Sequence, residues 1–419
     1  MKVNSKEDGT GRARRISAPR ERGVALIMVL GFIIVLAVMA AAFATNMQVE
    51  VKLARKANDD VKVEWICRSG IELSKYILAQ QMANNAQEPY DSLNQKWAGY
   101  SGDDTDGDPN DNSGDPGFNP FLDNLDLNNS AWAENSMLGL MFPDLNEFEA
   151  EFGASARCSI QIVDLERKYN INWAADGDSS KFPLQKAFEL MGVDTGLSPY
   201  LIDAIKDWRD IDDNRRVTGA ESDNYEAKTP PYTAKNGPID DLSELLLVEG
   251  ITPEIYWGSR AKQIAANPLQ SPSAGLPGAE EDEENTYNFG MVDIFTSISR
   301  GKININTAST NVIMLVPGYD EGAAAAIQRE RSGLDGIEGN WDDTPFDSME
   351  QVVGVAFPRF TQPSQIRLSV SNANQYFSLQ SVTFEVTVQA QVGKLSRTLV
   401  AVISRASPTD IKILYTYWK

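Results

Sequence analysis

The chain has 419 residues, with 38 Lys and Arg against 59 Asp and Glu, so its formal net charge is −21. It contains no histidine and only two cysteines. This excludes Ser-His-Asp catalysis, His-based zinc sites and four-cysteine iron–sulfur clusters, and the strong acidity disfavours a general nucleic-acid binder. Carboxylate chemistry, oxygen-ligand metals such as Ca²⁺, and binding or structural roles remain.

The start of the chain has the opposite charge to the rest. Residues 1–23 carry seven basic and three acidic residues, a net +4, which leaves −25 for residues 24–419. Residues 24–44 follow without a charged or polar side chain. A helix of this length spans the roughly 30 Å hydrocarbon core of a bilayer, and the basic residues before it place the N-terminus in the cytoplasm.

A cleaved signal peptide is the alternative for this segment, because Ala42-Phe43-Ala44 resembles an A-x-A cleavage site. However, a signal-peptide apolar region is usually about 7–15 residues long, and this one is longer. Helix-forming residues also continue through 48–82 without proline. We therefore expect one long helix over 24–88, apolar at its start and amphipathic beyond.

The junction of leader and helix resembles a known processing signal. Arg20-Glu21-Arg22-Gly23, followed directly by the apolar run, is similar to the class III signal of type IV pilin-like proteins. The resemblance implies cleavage by a prepilin peptidase between Gly23 and Val24, and methylation of the new N-terminus. Most members carry Glu at the fifth mature position, where this chain has Met28. That departure resembles the K-type minor pseudopilins of type II secretion systems (general secretion pathway protein K, GspK family).

An acidic stretch follows the long helix. Asp104, Asp106 and Asp108 alternate as in D-x-D-x-D calcium loops, but the glycine and the bidentate Glu of an EF-hand are out of place. A disordered acidic linker is the default for such a composition, and a second calcium loop is the alternative.

The remainder contains a duplication. Lys168-Tyr169-Asn170-Ile171-Asn172 recurs as Lys302-Ile303-Asn304-Ile305-Asn306. Each copy continues with an apolar helical stretch, a second helix and a closing helix expected to start near Ser243 or Ser348. Alternating segments before and after the copies predict strands, with a further strand between them at 291–298.

The second copy resembles a helix-hairpin-helix module, which often binds DNA through a glycine-containing hairpin. Here the hairpin reads Gly318-Tyr319-Asp320-Glu321-Gly322, so two carboxylates stand where phosphate would bind. The sequence favours a structural role and no nucleic-acid partner.

Together these features predict an α+β fold. A pilin-like long N-terminal helix packs on a small antiparallel β-sheet, and a large, duplicated helical domain of the helix-hairpin-helix type is inserted, as the resemblance implies. The expected segments are a leader at 1–23, a transmembrane part of the helix at 24–44, its periplasmic part at 45–88, an acidic linker at 89–155, sheet segments at 156–168, 286–300 and 375–405, helical copy 1 at 169–285 and helical copy 2 at 302–370.

The first copy carries an extra acidic loop with six carboxylates within 17 positions. Oxygen ligands in a loop suit Ca²⁺, and the segment resembles the calcium-binding segment of the K-type family. The resemblance implies Asp212, Asp213, Glu221 and Asp223 as ligands, with Asp207 and Asp210 as secondary candidates. The alternative is a solvated acidic loop held by the Pro230-Pro231 turn.

Two alternatives stay open for the cysteines. Cys67 on the long helix and Cys158 on the first strand can form a disulfide in an oxidising periplasm, or both can be buried free thiols.

The resemblance implies a non-enzymatic minor pseudopilin in the bacterial inner membrane, single-pass, with a periplasmic C-terminal domain. It would cap the pseudopilus tip with I-type and J-type pseudopilins, on the inner-membrane assembly platform. Val51, Ala54, Val61 and Trp65 form an apolar stripe for such partners. The alternatives are a type IV pilus-associated minor pilin, a helix-hairpin-helix DNA-uptake protein and a membrane-anchored carboxylate hydrolase.

Overall fold

The computed structural model describes residues 21–83, 88–99, 156–176, 181–261, 287–359 and 362–419. The chain divides into two units, Met1–Val61 and Lys62–Lys419, and the sheet and the helical domain belong to the second. Helix α1, Glu21–Ala83, runs for 63 residues. Among the described helices it alone is long and apolar enough to cross a membrane, with a window of mean hydropathy 3.0.

Among the described residues after α1 there are eight strands. They are β1 (Ala156–Asp164), β2 (Tyr169–Asn170), β3 (Phe295–Thr296), β4 (Ile303–Asn304), β5 (Phe377–Ser378), β6 (Thr383–Val392), β7 (Leu395–Ser407) and β8 (Asp410–Trp418).

In the described part of the inserted domain there are ten shorter α-helices, together with 3₁₀ turns. They are α2 (Ile171–Ala174), α3 (Phe182–Met191), α4 (Ser198–Arg209), α5 (Ser222–Glu226), α6 (Pro253–Trp257), α7 (Met291–Ile294), α8 (Thr310–Ile313), α9 (Glu321–Arg331), α10 (Met349–Ala356) and α11 (Pro363–Tyr376).

The pilin-like body is a four-stranded antiparallel sheet of order β1-β6-β7-β8, and the part of α1 from Lys62 onward packs on one face of it. Alternate residues of the strands point to α1, so Ile160, Val386 and Ala401 pack in one core with Val63 and Cys67 of the helix. This confirms the predicted fold class: a long helix on a small antiparallel sheet with a helical domain inserted.

Two strand predictions were wrong, and one strand was missed. Residues 291–298 do not join the sheet: they form α7 and then β3, which pairs in parallel with β2 inside the helical domain. The predicted sheet segment 375–405 does not begin as part of the sheet, because β5 pairs with β4 and the sheet strand begins only at Thr383. The sheet also continues beyond 405 into β8, an edge strand that pairs with β7.

The duplication is visible in the hydrogen bonds. In the first copy the Asn172 side chain donates to the carbonyl of Ile239 at 2.9 Å and accepts from its amide at 2.8 Å. In the second copy Asn306 makes the same reciprocal pair with Phe346, at 3.0 and 2.9 Å. Each repeated asparagine therefore fastens the start of its copy to the start of the closing helix.

The closing helix of the second copy begins at the expected serine, whereas that of the first copy begins before it. In the first copy Asp241 is the N-cap of the 3₁₀ helix Leu242–Leu247, and it accepts from the amide of Ser243 at 2.7 Å, so Ser243 lies inside the helix. In the second copy Ser348 is the N-cap of α10 but makes no side-chain capping bond. An aspartate takes the role in copy 1 because its carboxylate reaches the free amides of the first turn.

Candidate functional site: the acidic loop and a buried polar junction

The acidic loop of the first copy brings three carboxylates together. Ligand atoms of Asp207, Asp210 and Glu221 lie within 4.8 Å of one another. Asp207 stands in the last turn of α4, Asp210 is the C-cap of that helix, and Glu221 is the N-cap of α5. The helix end and the next helix start therefore converge on one point.

Asp207 is the inner wall of this cluster. Its side chain is fully buried, and the Arg216 guanidinium donates to it at 2.6 Å and bridges to Asp210. The loop passes so close that a Cβ at Gly219 would lie 1.8 Å from Asp207 Oδ2. Glycine at this position therefore lets the loop close over the carboxylate.

Glu221 is the least compensated member. It is buried, and neither carboxylate oxygen has a hydrogen-bond partner. Burial, followed by the charges of Asp207 and Asp210, raises the pKa of Glu221 to about 7. A carboxylate held in this way favours either a proton or a cation beside it.

The other proposed ligands are placed differently. Asp212, Asp213 and Asp223 are exposed. Asp212 accepts from the amide of Asn214, Asp213 from the Ser222 hydroxyl and the Asn236 amide group, and Asp223 from the amide of Asn224. The cluster thus contains Glu221 together with Asp207 and Asp210, the secondary candidates. The three exposed aspartates instead make hydrogen bonds that shape the surrounding loop.

Aromatic side chains support the loop from below. Trp208 and Tyr225 meet edge to face with ring centroids 5.1 Å apart, and Tyr232 stacks on Tyr225 at 5.3 Å. Because Trp208 adjoins Asp207 and Tyr225 is on α5 with its N-cap Glu221, these rings fix both sides of the cluster.

The donor set fits a hard divalent cation. It offers only carboxylate oxygens, of which both Glu221 oxygens and Asp210 Oδ1 are buried without a partner. Ca²⁺ takes six to eight oxygens at such sites, so exposed acids, carbonyls or waters would complete the shell. Asp207, Asp210 and Glu221 are the residues that would hold the ion.

The predicted processing site lies at the start of α1. Gly23 and Val24 are within the first turns of this helix, and Met28, at the position where pilins carry Glu, is exposed. The second predicted calcium loop, Asp104, Asp106 and Asp108, lies outside the described residues.

The two cysteines are free thiols in this structure, so the disulfide alternative is not formed. Cys67 Sγ is directed to the carbonyls of Val388 and Arg397, on β6 and β7, at 3.8 and 4.0 Å. Cys158 lies on β1, the neighbouring edge strand.

The acidic hairpin of the second copy serves the helix that follows it. Asp320 is the N-cap of α9 and accepts from the amide of Ala323 at 2.9 Å. Glu321 is exposed in the first helical turn. Both negative charges are where a helix N-terminus favours them.

A buried polar junction that the sequence did not predict joins the helical domain to the sheet. Asp164, at the end of β1, accepts from Thr307 and Ser381 hydroxyls, both at 2.6 Å, and from Asn304. Asn304 also donates to the carbonyl of Asp91 at 3.0 Å. The first sheet strand, the second copy and the segment after α1 therefore meet in one network.

An ion pair and an uncompensated acid complete the junction. Arg405 of β7 pairs with Asp91, and both side chains are almost fully buried. Arg405 also donates to the carbonyls of Ser381 and Leu78, at 2.8 and 3.2 Å. Nearby Glu166 is fully buried, and its Oε2 has no partner. The sequence indicated this junction only through isolated charged residues among apolar neighbours.

Known proteins resemble this chain in the helical domain and over most of its length. Residues 167–259 match the family model for type II secretion system (T2SS), protein K. A putative type II secretion system protein K of Escherichia coli K12 is 24% identical over 244 residues, 56% of this chain and 60% of the relative, so the match spans less than two thirds of that protein. The type II secretion system protein K of Pseudomonas aeruginosa is 21% identical over 404 residues, 94% of this chain and 92% of the relative.

The fold has a solved counterpart. A chain in the crystal structure of the GspK-GspI-GspJ complex from the enterotoxigenic Escherichia coli type 2 secretion system superposes with a TM-score of 0.53 at 13% identity, covering 87% of this chain and 99% of that one. The long helix on an antiparallel sheet, with helices inserted between two strands, defines a pilin-like protein with an inserted helical domain. Within that class the chain is similar to the type II secretion system protein K family, whose model matches residues 167–259.

Proposed function

We propose that the chain is a minor pseudopilin that caps the tip of a periplasmic pseudopilus and helps to initiate its assembly for protein export. It acts as a structural protein rather than an enzyme. Met28 is the observation that carries the proposal. A subunit inside the filament directs its fifth-position glutamate to the N-terminal amine of the preceding subunit. A subunit at the tip has no preceding subunit, so it does not need this glutamate. The unpaired carboxylate would be costly in lipid.

The proposed partners are I-type and J-type pseudopilins, as in the complex that the structural counterpart occupies. The apolar stripe of α1 supports this. Val51, Ala54, Val61 and Trp65 are all exposed, and Trp65 retains 61% of its surface. The opposite side of the helix, with Val63, packs on the sheet, so the stripe stays available for helix packing.

The leader tests the pseudopilin proposal. Produced with prepilin peptidase, the full chain should have Val24 as its first residue, as read by mass spectrometry of the N-terminal peptide. Without the peptidase it should keep residues 1–23, and Gly23→Leu should block processing. A mature protein that starts at Thr45 would instead indicate an ordinary signal peptidase and contradict the proposal.

We also propose that the acidic loop binds Ca²⁺ through Asp207, Asp210 and Glu221. The buried, unpartnered oxygens of Glu221 support this, because a cation would supply the positive charge that Glu221 lacks. Calcium would then join α4 to α5 and order the loop, which stabilises the helical domain as any ligand that binds only the folded state does.

Thermal unfolding of the full chain in detergent tests the metal. Calcium at about a hundred times its Kd should add about 2.7 kcal/mol to the free energy of unfolding. Glu221→Gln should remove most of that gain, while it stabilises the calcium-free protein above pH 7 because repulsion with Asp207 disappears. The matched control is Glu226→Gln, an exposed acid on the same short helix. An equal calcium response in both variants would overturn the proposal.

A further inference from the structure

A short loop in the second copy displays large apolar side chains to solvent. We call residues 332–343, between α9 and the segment leading to α10, the glycine loop. Leu334 is 100% exposed, Trp341 69% and Ile337 43%. Single exposed apolar residues are ordinary, but three within eight positions of one loop make a patch that needs a reason.

The glycine loop is held by its own hydrogen bonds. Asp342 accepts from the amides of Leu334 and Asp335 at 2.8 and 3.2 Å. Asp335 accepts from the amide of Ile337 and from the Asn340 side chain, both at 2.7 Å. With both ends of the loop bonded inward, the apolar side chains are presented outward in a fixed arrangement, which lowers the entropy lost on binding.

Glycines allow this path. Gly333, Gly336 and Gly339 all have positive φ, between 63° and 94°. At Gly333 a Cβ would lie 2.3 Å from the carbonyl oxygen of Asp342, so a larger residue cannot be accommodated.

The loop is also anchored to the body of the protein. Buried Arg331 donates to the carbonyl of Ile305 at 2.6 Å and to Glu338 of the loop at 2.8 Å. On its other side Asn94 donates to the carbonyl of Asp343 at 3.5 Å. The loop therefore stands beside the segment that follows the C-terminal end of α1.

Charge selects the kind of partner. Residues 332–343 contain Asp335, Glu338, Asp342 and Asp343 and no Lys or Arg. Glu338 is paired with Arg331, and the other three acids accept hydrogen bonds from backbone amides of the loop itself, so the loop is acidic along its length. An anionic membrane surface would be repelled, and so would the acidic surface of a second copy.

We propose that the glycine loop is a docking site for a different protein, one that offers an apolar pocket bordered by Lys or Arg. Trp341 and Leu334 fill the pocket, and the loop acids face its basic rim. An exposed tryptophan in an acidic loop has the composition of an interface hot spot. This inference goes beyond the proposed pseudopilin function and does not require calcium.

Site-specific photo-cross-linking of the full chain in the bacterium that encodes it tests the proposal. p-Benzoylphenylalanine replaces Leu334, and in a matched control it replaces Leu368, which is 65% exposed on α11. The position-334 probe should yield an adduct with one identified protein that the position-368 probe does not. The cross-linked peptide should contain apolar residues flanked by Lys or Arg.

Trp341→Ala is the second variant. It should reduce the position-334 adduct at least tenfold while the melting temperature stays unchanged, because the side chain is mostly exposed. Binding of the purified partner should weaken as salt increases. The proposal is overturned by no adduct, by the same adducts from position 368, by adducts with lipid or another copy of this chain, or by a cross-linked surface without basic residues. An N-terminus other than Val24 would contradict the pseudopilin function without affecting these results.

Discussion

Glu166, like Glu221, is a buried acid whose charge is only weakly compensated. Its Oε2 has no partner, and its Oε1 receives long bonds from the amide of Arg300 at 3.3 Å and the Thr383 hydroxyl at 3.5 Å. Burial, and then the charge of Asp164, raises the pKa of Glu166 to about 7. At neutral pH the site therefore lies near the midpoint of its titration.

The stability of the protein should depend on pH through this residue. Because the folded-state pKa lies above the unfolded value near 4.5, stability is fully present below that pH and is lost as pH rises through 7. A pKa rise from 4.5 to about 7 corresponds to about 3 kcal/mol. Glu166→Gln should remove this loss, so the variant should unfold at higher urea than the parent at pH 8 and similarly at pH 4.5.

Urea unfolding at a series of pH values provides the measurement. The control is Glu254→Gln, an exposed acid in the first turn of α6, which should follow the parent at every pH. If the parent and Glu166→Gln curves ran parallel from pH 4.5 to 8, the buried carboxylate would not titrate in this range.

The sequence could predict that acids cluster in the loop after α4 but not which of them face inward. Glu221 was among the expected ligands, whereas Asp207 and Asp210 were ranked below the exposed Asp212 and Asp223. The difference arises from the loop path, which Gly219 allows to close over Asp207. The number and spacing of the carboxylates in the sequence do not predict the backbone path of the loop.

At the scale of elements, α1 and the sheet approach one another at a glycine. A Cβ on Gly70 would lie 2.7 Å from Val388 Cγ1 and 3.4 Å from Ile160 Cδ1. Both are core side chains, and valine has little freedom to rotate away. Glycine in the middle of a helix costs about 0.5–1 kcal/mol, so its position here reflects close packing.

Gly70→Ala should therefore destabilise the protein by about 1–2 kcal/mol, since overpacking outweighs the gain in helix propensity. The control is Gly354→Ala in α10, where nothing lies within 4 Å of the added Cβ. That variant should stabilise by about 0.5–1 kcal/mol. Equilibrium unfolding measures both, and the same sign in the two variants would contradict close packing at Gly70.

Hydrophobic periodicity and composition predicted the helices and strands that a continuous run of residues specifies by itself. The length of α1 follows from the absence of proline, and β6 and β7 follow from strict alternation. β3 and β5 were misassigned because each has only two residues and pairs in parallel with a partner far along the chain. β8 was missed because its apolar residues do not alternate with polar ones. It is an edge strand, and its apolar side chains Leu414 and Tyr417 are exposed.

At the scale of the whole molecule, the helical domain is inserted at a hairpin. β1 and β6 are antiparallel neighbours, with Asp164 opposite Phe384, and the entire helical domain lies between them in sequence. The Asp164–Ser381 hydrogen bond of 2.6 Å closes the entry and exit. The two repeated copies share one core, which runs from Tyr169 to Phe377 and is separate from the core between α1 and the sheet.

This arrangement predicts that the pilin-like body folds without the insert. Replacing residues 165–383 by Asn-Gly would join β1 to β6 through a two-residue type I′ turn in the register already present. The Asp91–Arg405 ion pair remains, because both residues belong to the body. The shortened chain in detergent should therefore unfold cooperatively when followed by circular dichroism, and calcium should no longer raise its melting temperature.

Removing copy 1 alone is the informative contrast. Deletion of residues 169–285 cuts through the shared core, leaving Ile303 and Val312 of copy 2 without the packing that Leu184 and Ile205 provide in the same cluster. The smaller deletion should thus be the more damaging one, with loss of cooperative unfolding in the remaining helices. If it melted cooperatively while the 165–383 replacement did not, the two copies would be independent units and the body would depend on them.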